Sequence, residues 1–220
     1  MNTLRSSIIF ITVSLASLGT VCAQALDISS GGAPSITGAS GGSVSGSASV
    51  LNNLVVTINF GELSPLNASN IVKVTVPIAV RSNQPYRVTV TYSGAVNANP
   101  QALQKTDIGF GLNNWRAMGS DSRVCSNSPH IFYSPFSNDP AATRTFAASG
   151  RAQYPSDFGD LNVSTTILTG PRLSNGTNAR QTNDGYIFDV IFAITPQFYA
   201  AGPTTATLTF TISAGPSVSC

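Results

Sequence analysis

An all-β antiparallel sandwich of about eight to nine strands is the fold class this sequence predicts, with a barrel as the runner-up. Three observations carry it. From Val50 onward, apolar residues recur at every second position in four separate runs. Turn-forming clusters cut these runs at short intervals. No long stretch repeats with a period of 3.6, so no substantial helix is expected.

Residues 1–23 read as a cleaved signal peptide. Arg5 and the amino terminus are positive, Ile8 to Leu18 are mostly apolar, and small residues follow at Val21-Cys22-Ala23 and Ala23-Gln24-Ala25. The apolar run is short of the roughly 20 residues that a spanning helix needs. Cys22 as a lipidation site would have Val21 before it, where a small residue is usual. Residues 24–49 are dominated by Gly, Ser and Ala and are expected to be a flexible leader. Residues 50–220 are expected to form one domain.

Within that domain, Val56, Ile58 and Phe60 alternate with Thr57 and Asn59. Val72 to Val80 alternate with Lys73, Thr75, Pro77 and Ala79; Tyr86 to Tyr92 alternate with Arg87, Thr89 and Thr91. Ala206 to Ile212 alternate with threonines. Each set gives a strand with one buried and one wet face. Residues 186–194 are apolar on both faces except at Asp189, which suits a central strand covered on both sides. Weaker strands are expected at 107–112, 124–133, 143–148 and 161–168. Arg81 to Pro85 fits a hairpin loop, and Pro77 suggests an edge strand or bulge because it lacks a ladder donor. Pro196 to Ala201 is the one candidate for a helical turn.

Charged residues make up 9% of the chain, against about 25% in an ordinary soluble domain. Net charge is +2, and the eleven Lys and Arg are scattered. Nucleic acid and anionic membrane need a clustered basic footprint, so both are excluded as partners. No segment after the signal is apolar enough for a stable membrane span.

Catalytic motifs are sparse. Gly38-Ala-Ser40-Gly-Gly42 matches the hydrolase elbow, but it lies in the Gly/Ser leader rather than between a strand and a helix. Asp157-Phe158-Gly159 lacks the other kinase elements and reads as a turn. Asp157 and Asp160 lack any calcium-loop spacing. His130 is the sole histidine, which excludes a histidine-based zinc cluster. Asp189 is expected to form a structural ion pair with an arginine such as Arg87 or Arg123. No catalytic residue, cofactor or metal is expected. Trp115, Tyr133 and Tyr154 fall in loop-like contexts and are the candidate ligand-contact aromatics. Sequons occur at Asn67, Asn162 and Asn175. Cys125 and Cys220 remain once the signal is removed, and an exported pair is expected to form a disulfide.

The segment Val74-Thr-Val-Pro-Ile-Ala-Val-Arg-Ser-Asn-Gln-Pro-Tyr-Arg-Val-Thr-Val90 resembles the core hairpin of bacterial secreted fimbrial-type proteins, including spore-coat-U-like pilins. Pro196 to Pro203, with the strand after it, is similar to their closing strand. This resemblance implies an Ig-like sandwich on the cell surface, of a kind that can be built into a fibre. Two features depart from the pattern: residues 26–45 are not an alternating apolar extension, and the early disulfide is missing. The function expected is that of a secreted or cell-surface structural or interaction protein without catalytic activity, periplasmic if not exported further. Its expected partners are other extracellular subunits or surface glycans. A carbohydrate-binding or adhesin module and an Asp-dependent secreted hydrolase are the alternatives. Assembly, if it occurs, is expected through an exposed edge strand, with 205–213 and 72–80 as candidates.

Overall fold

The computed structural model describes residues 26–48, 52–68, 70–94, 97–118, 130–161, 163–173 and 185–216. They form thirteen strands, nearly all antiparallel partners within two packed sheets. The all-β sandwich is therefore present, with more strands than the alternation alone revealed.

The first sheet contains β1 (Leu26–Ser30), β2 (Ser35–Thr37), β5 (Val72–Ser82), β12 (Gly185–Ile194) and β7 (Ile108–Met118). Its order is β1-β5-β12-β7, with β2 also on β5. The second sheet contains β3 (Ser43–Ala48), β4 (Asn53–Asn59), β13 (Thr205–Ala214), β6 (Tyr86–Ser93), β11 (Thr165–Gly170) and β8 (Ile131–Phe132), in that order. The inner faces supply one core. Val72, Val74, Ile78, Phe110, Phe188 and Phe192 come from the first sheet, and Ile58, Val88, Val90, Leu208 and Phe210 from the second; all are fully buried. Burying each such side chain is worth roughly 1.5–3 kcal/mol, so this alternation is the main source of the fold's stability.

The segment expected to be a flexible leader is a correction. Its residues 26–48 supply β1, β2 and β3. Leu26 and Ile28 are buried, and β1 pairs with Ile78 to Ser82 of β5. Two buried apolar residues and a complete ladder outweigh the permissive composition around them.

Pro77 is neither on an edge nor in a bulge. It faces the gap between β1, which ends opposite Ile78, and β2, which begins opposite Thr75. Its carbonyl accepts from Gly31 N at 2.9 Å, so its nitrogen points to the same side. The missing donor thus falls where the neighbouring chain kinks through Gly31 to Pro34. The expected hairpin at Arg81 to Pro85 is also revised. β5 and β6 lie in different sheets, so this turn is an arch between layers. Ser82 Oγ holds it by accepting from Gln84 N at 3.1 Å. Residues 196–201 form no helical turn.

β12 is central, as its two apolar faces imply. It pairs with β5 on one side and β7 on the other. Its outer face is covered by a long excursion between β8 and β11. This carries a short helix α1 (Pro140–Thr143) and a hairpin of β9 (Thr145–Phe146) and β10 (Ala152–Gln153). Gly109 and Gly111 of β7 make that cover possible. A Cβ on Gly109 would meet the Tyr154 ring at 2.5 Å, and one on Gly111 would meet the Asn138 carbonyl at 2.2 Å.

Candidate functional site

The end of the sandwich where β4, β6 and β12 finish and β5, β7 and β13 begin carries two open clefts. One is a cleft of about 570 Å³ under the β9–β10 hairpin. Asp107 forms its floor and is 2% exposed. A 3-10 turn over Lys105–Asp107 delivers the carboxylate just before β7. Gly150 turns the hairpin with φ 79°, and Arg151 returns from it toward Asp107. Arg151 Nε donates to Asp107 Oδ1 at 2.5 Å, and the second guanidinium nitrogen donates to Oδ2. Gln104 N adds a third bond at 2.9 Å. The pairing holds the Arg151 guanidinium above its ordinary range, with burial opposing it.

Asp157 and Asp160 lie nearby on a 3-10 turn over Phe158–Asp160. Asp157 accepts from Gly159 N at 2.6 Å, while Asp160 accepts from Asp157 N at 3.0 Å. The two side chains cap the turn reciprocally, which answers the calcium and kinase-like spellings with a structural role. Burial pushes the Asp157 carboxyl up, partly offset by the Gly159 bond. Tyr154 and Tyr199 converge on Thr195. Thr195 N donates to Tyr154 Oη at 2.9 Å, and Tyr199 Oη donates to the Thr195 carbonyl at 3.2 Å. Burial raises both phenols.

Beyond this cleft lies a less polar groove of about 400 Å³ between residues 61–64 and 197–204. Leu66, Phe146 and Phe198 stand exposed around this end, and Arg144 lies 5.7 Å from the Phe146 ring. The sequence reading missed Phe146 and Phe198, each of which follows a polar residue, Thr145 and Gln197, outside any long alternating run.

The three nominated aromatics do not share a platform. Trp115 is half-buried on β7 and stacks on Phe132, with ring centroids 3.9 Å apart. Around it pack His130, Tyr186 and Phe188. Tyr154 belongs to the cleft under the hairpin. Tyr133 alone is exposed, and it lines a separate opening of about 460 Å³ with Arg87, Thr166, Thr169, Gly215 and Pro216. His130 is an aromatic packing residue, 4.3 Å from the Tyr186 ring.

Neither a family model, nor a curated protein, nor a solved structure matches this chain. Function is therefore read from the side chains themselves, and the remaining carboxylates are informative. Asp189 does have an arginine beside it, but that arginine is not Arg87. Arg123 lies outside the described residues, and Arg87 reaches toward Ala214 on the other sheet. A bulge in β7 instead puts Asn114 in the left-handed region, φ 59°, and its Nδ2 donates to Asp189 Oδ2 at 2.8 Å. Arg116 Nη1 lies 3.0 Å from Oδ1, a contact of charge rather than an aligned hydrogen bond. Asp139 caps α1 through Ala141 N and accepts from Lys73 at 2.6 Å. Asp27 pairs with Arg81 at 3.2 Å. Glu62 accepts from Asn67 at 2.6 Å. Among the described residues, no three His, Cys, Asp or Glu gather as a metal would need, and no helix is long and apolar enough to cross a membrane. Ser40 bridges by its backbone to Glu62 and is followed by β3 rather than a helix, so the elbow geometry is absent there. Cys125 and Cys220, and the sequons at Asn162 and Asn175, lie outside the described residues.

Proposed function

We propose that this chain is an exported, non-catalytic structural or surface-interaction protein, in keeping with its resemblance to fimbrial-type subunits. One observation supports the reading most: the carboxylates around the cleft under the β9–β10 hairpin are already engaged. Asp107 is locked by Arg151, and Asp157 and Asp160 cap a turn. A carboxylate acting as acid or base needs a lone pair or proton free for substrate. The outer face of the second sheet adds support. It is a ladder of uncharged hydroxyls, with Thr57 and Thr207 3.2 Å apart and Thr211 donating to Asn53 at 2.6 Å. The test is an assay of the purified exported protein against broad glycosidase, esterase and protease substrates. No turnover is expected. Activity that survives purification and disappears in Asp107→Asn or Asp157→Asn would overturn the reading.

Glycan binding is the second reading, and it moves to Tyr133. An exposed ring beside Arg87 and two threonine hydroxyls suits a sugar's apolar face and hydroxyl rim. On a glycan array, Tyr133→Ala is expected to abolish any signal. Binding that survives Tyr133→Ala would remove this assignment. The signal peptide and the Cys125–Cys220 bridge belong to the same proposal, because both follow from export.

A further inference from the structure

Four sheet edges flank the sandwich, and three are protected. The outer edge of β7 is occupied in its first half, where Phe110 N donates to the Ser156 carbonyl at 3.0 Å and Leu112 N to the Phe136 carbonyl at 2.8 Å; its second half is kinked at Asn114 and carries the charge of Arg116. β8 at the far side of the second sheet is only two residues long. The β1/β2 edge is broken at Gly31 to Pro34 and carries Asp27. Shortness, kinks, proline and charge are the usual means of blunting an edge.

β3 has none of these. It runs for six residues, Ser-Val-Ser-Gly-Ser-Ala, without charge or proline. Among the described residues it pairs with β4 alone, in unbroken register from Ser43↔Asn59 to Ala48↔Leu54. The candidate strands at 72–80 and 205–213 are both interior, so β3 replaces them.

The ladder shows which groups face outward. Phe60 N bonds to the Thr204 carbonyl and Ile212 N to the Asn52 carbonyl, so the even residues of β4 bond to β13. Its odd residues therefore bond to β3, through Ser43, Ser45 and Ser47. The N–H and C=O groups of Val44, Gly46 and Ala48 point away from the sheet.

The geometry points to β3 as a self-association edge, pairing antiparallel with β3 of a second copy about a two-fold axis at Gly46. Gly46 faces its own counterpart, and Val44 faces Ala48 of the partner copy. This exchanges roughly six backbone hydrogen bonds and joins the two second sheets into one. Self-pairing is favoured over a foreign strand because the edge is neutral. Identical strands meet without like-charge repulsion, and no charge complementarity selects another partner. Val44 packs inward on the core, so the side chains at the seam are small.

The inference deepens the structural-subunit reading and rests on it. The test uses the exported protein with its native N-terminus, in sedimentation equilibrium across a concentration series. A reversible dimer is expected. Gly46→Pro removes an outward donor without touching the β4 ladder and is expected to leave a monomer. Ser45→Lys puts charges diagonally across the seam on an exposed face and is expected to raise the dimer Kd about tenfold or more. It decides the matter if the proline variant fails to fold. In the wild-type dimer the Gly46 amide is expected to exchange slowly, and in the Ser45→Lys monomer quickly. A monomer at every concentration overturns the inference, as does a dimer that a folded variant leaves intact, or a β3 edge taken by a different chain. None of these outcomes bears on catalytic turnover, which tests the underlying reading separately.

Discussion

Asp107 is the residue whose surroundings say most about the cleft. It is nearly inaccessible and receives three hydrogen bonds, two of them from Arg151. Removing one partner of such a pair leaves an uncompensated charge, which costs about 3–5 kcal/mol. Arg151→Ala, which strands the buried carboxylate, is therefore expected to destabilise the protein by that order, read as a lower midpoint in urea unfolding. A loss below about 1 kcal/mol would mean the carboxylate is not structural. Asp157 differs in sign. Burial raises its folded pKa above the unfolded value, so the folded state binds the proton more tightly. Its contribution is favourable at low pH and is lost as pH rises through the folded pKa. Asn at this position keeps an acceptor for Gly159 N and carries no charge. Asp157→Asn is thus expected to match or exceed wild-type stability at neutral pH, with the difference shrinking in acid. Thermal melts across pH 3–7 read this directly, and a wild-type advantage that grows with pH would contradict it. The Asp107–Arg151 partnership was not legible in the sequence, since the two residues are 44 positions apart.

At the scale of elements, alternation located β4, β5, β6 and β13 because each has one face that must leave water, and a run apolar on both faces located β12. It missed β1 to β3 because Gly and Ser dominate their surroundings, and only Leu26, Ile28, Ile36 and Val44 signal an inner face. A direct test follows. Ile28→Ala is expected to cost about 2–5 kcal/mol if β1 is folded on β5. A flexible leader would register almost nothing. The pair of strand glycines, Gly109 and Gly111, was a readable hint that another segment crosses β7 there. The hint named neither the segment nor its fold, because a missing side chain specifies only that space is needed.

For the molecule as a whole, the low charge and threonine-rich faces imply assembly that responds weakly to salt, since backbone pairing carries no net charge to screen. The cysteine pair acts at this scale too. A Cys125–Cys220 bridge would close a long loop, and the chain-entropy model gives it at most about 4–5 kcal/mol. Intact mass is expected to rise by two hydrogens on reduction, together with a lower melting temperature; free thiols in the unfolded, unreduced protein would remove the bridge. The all-β class, the central place of β12, the structural fate of Asp157-Phe-Gly159 and the lack of a basic footprint were all determined by the sequence alone. Each depends on local periodicity, turn chemistry or composition, which the chain carries residue by residue. The order of strands, the arch at Ser82, the partner of Asp189 and the unguarded edge at β3 were decided only by the tertiary structure. Each is a relation between segments far apart in the chain, and the packing of two sheets around one core settles which segments meet.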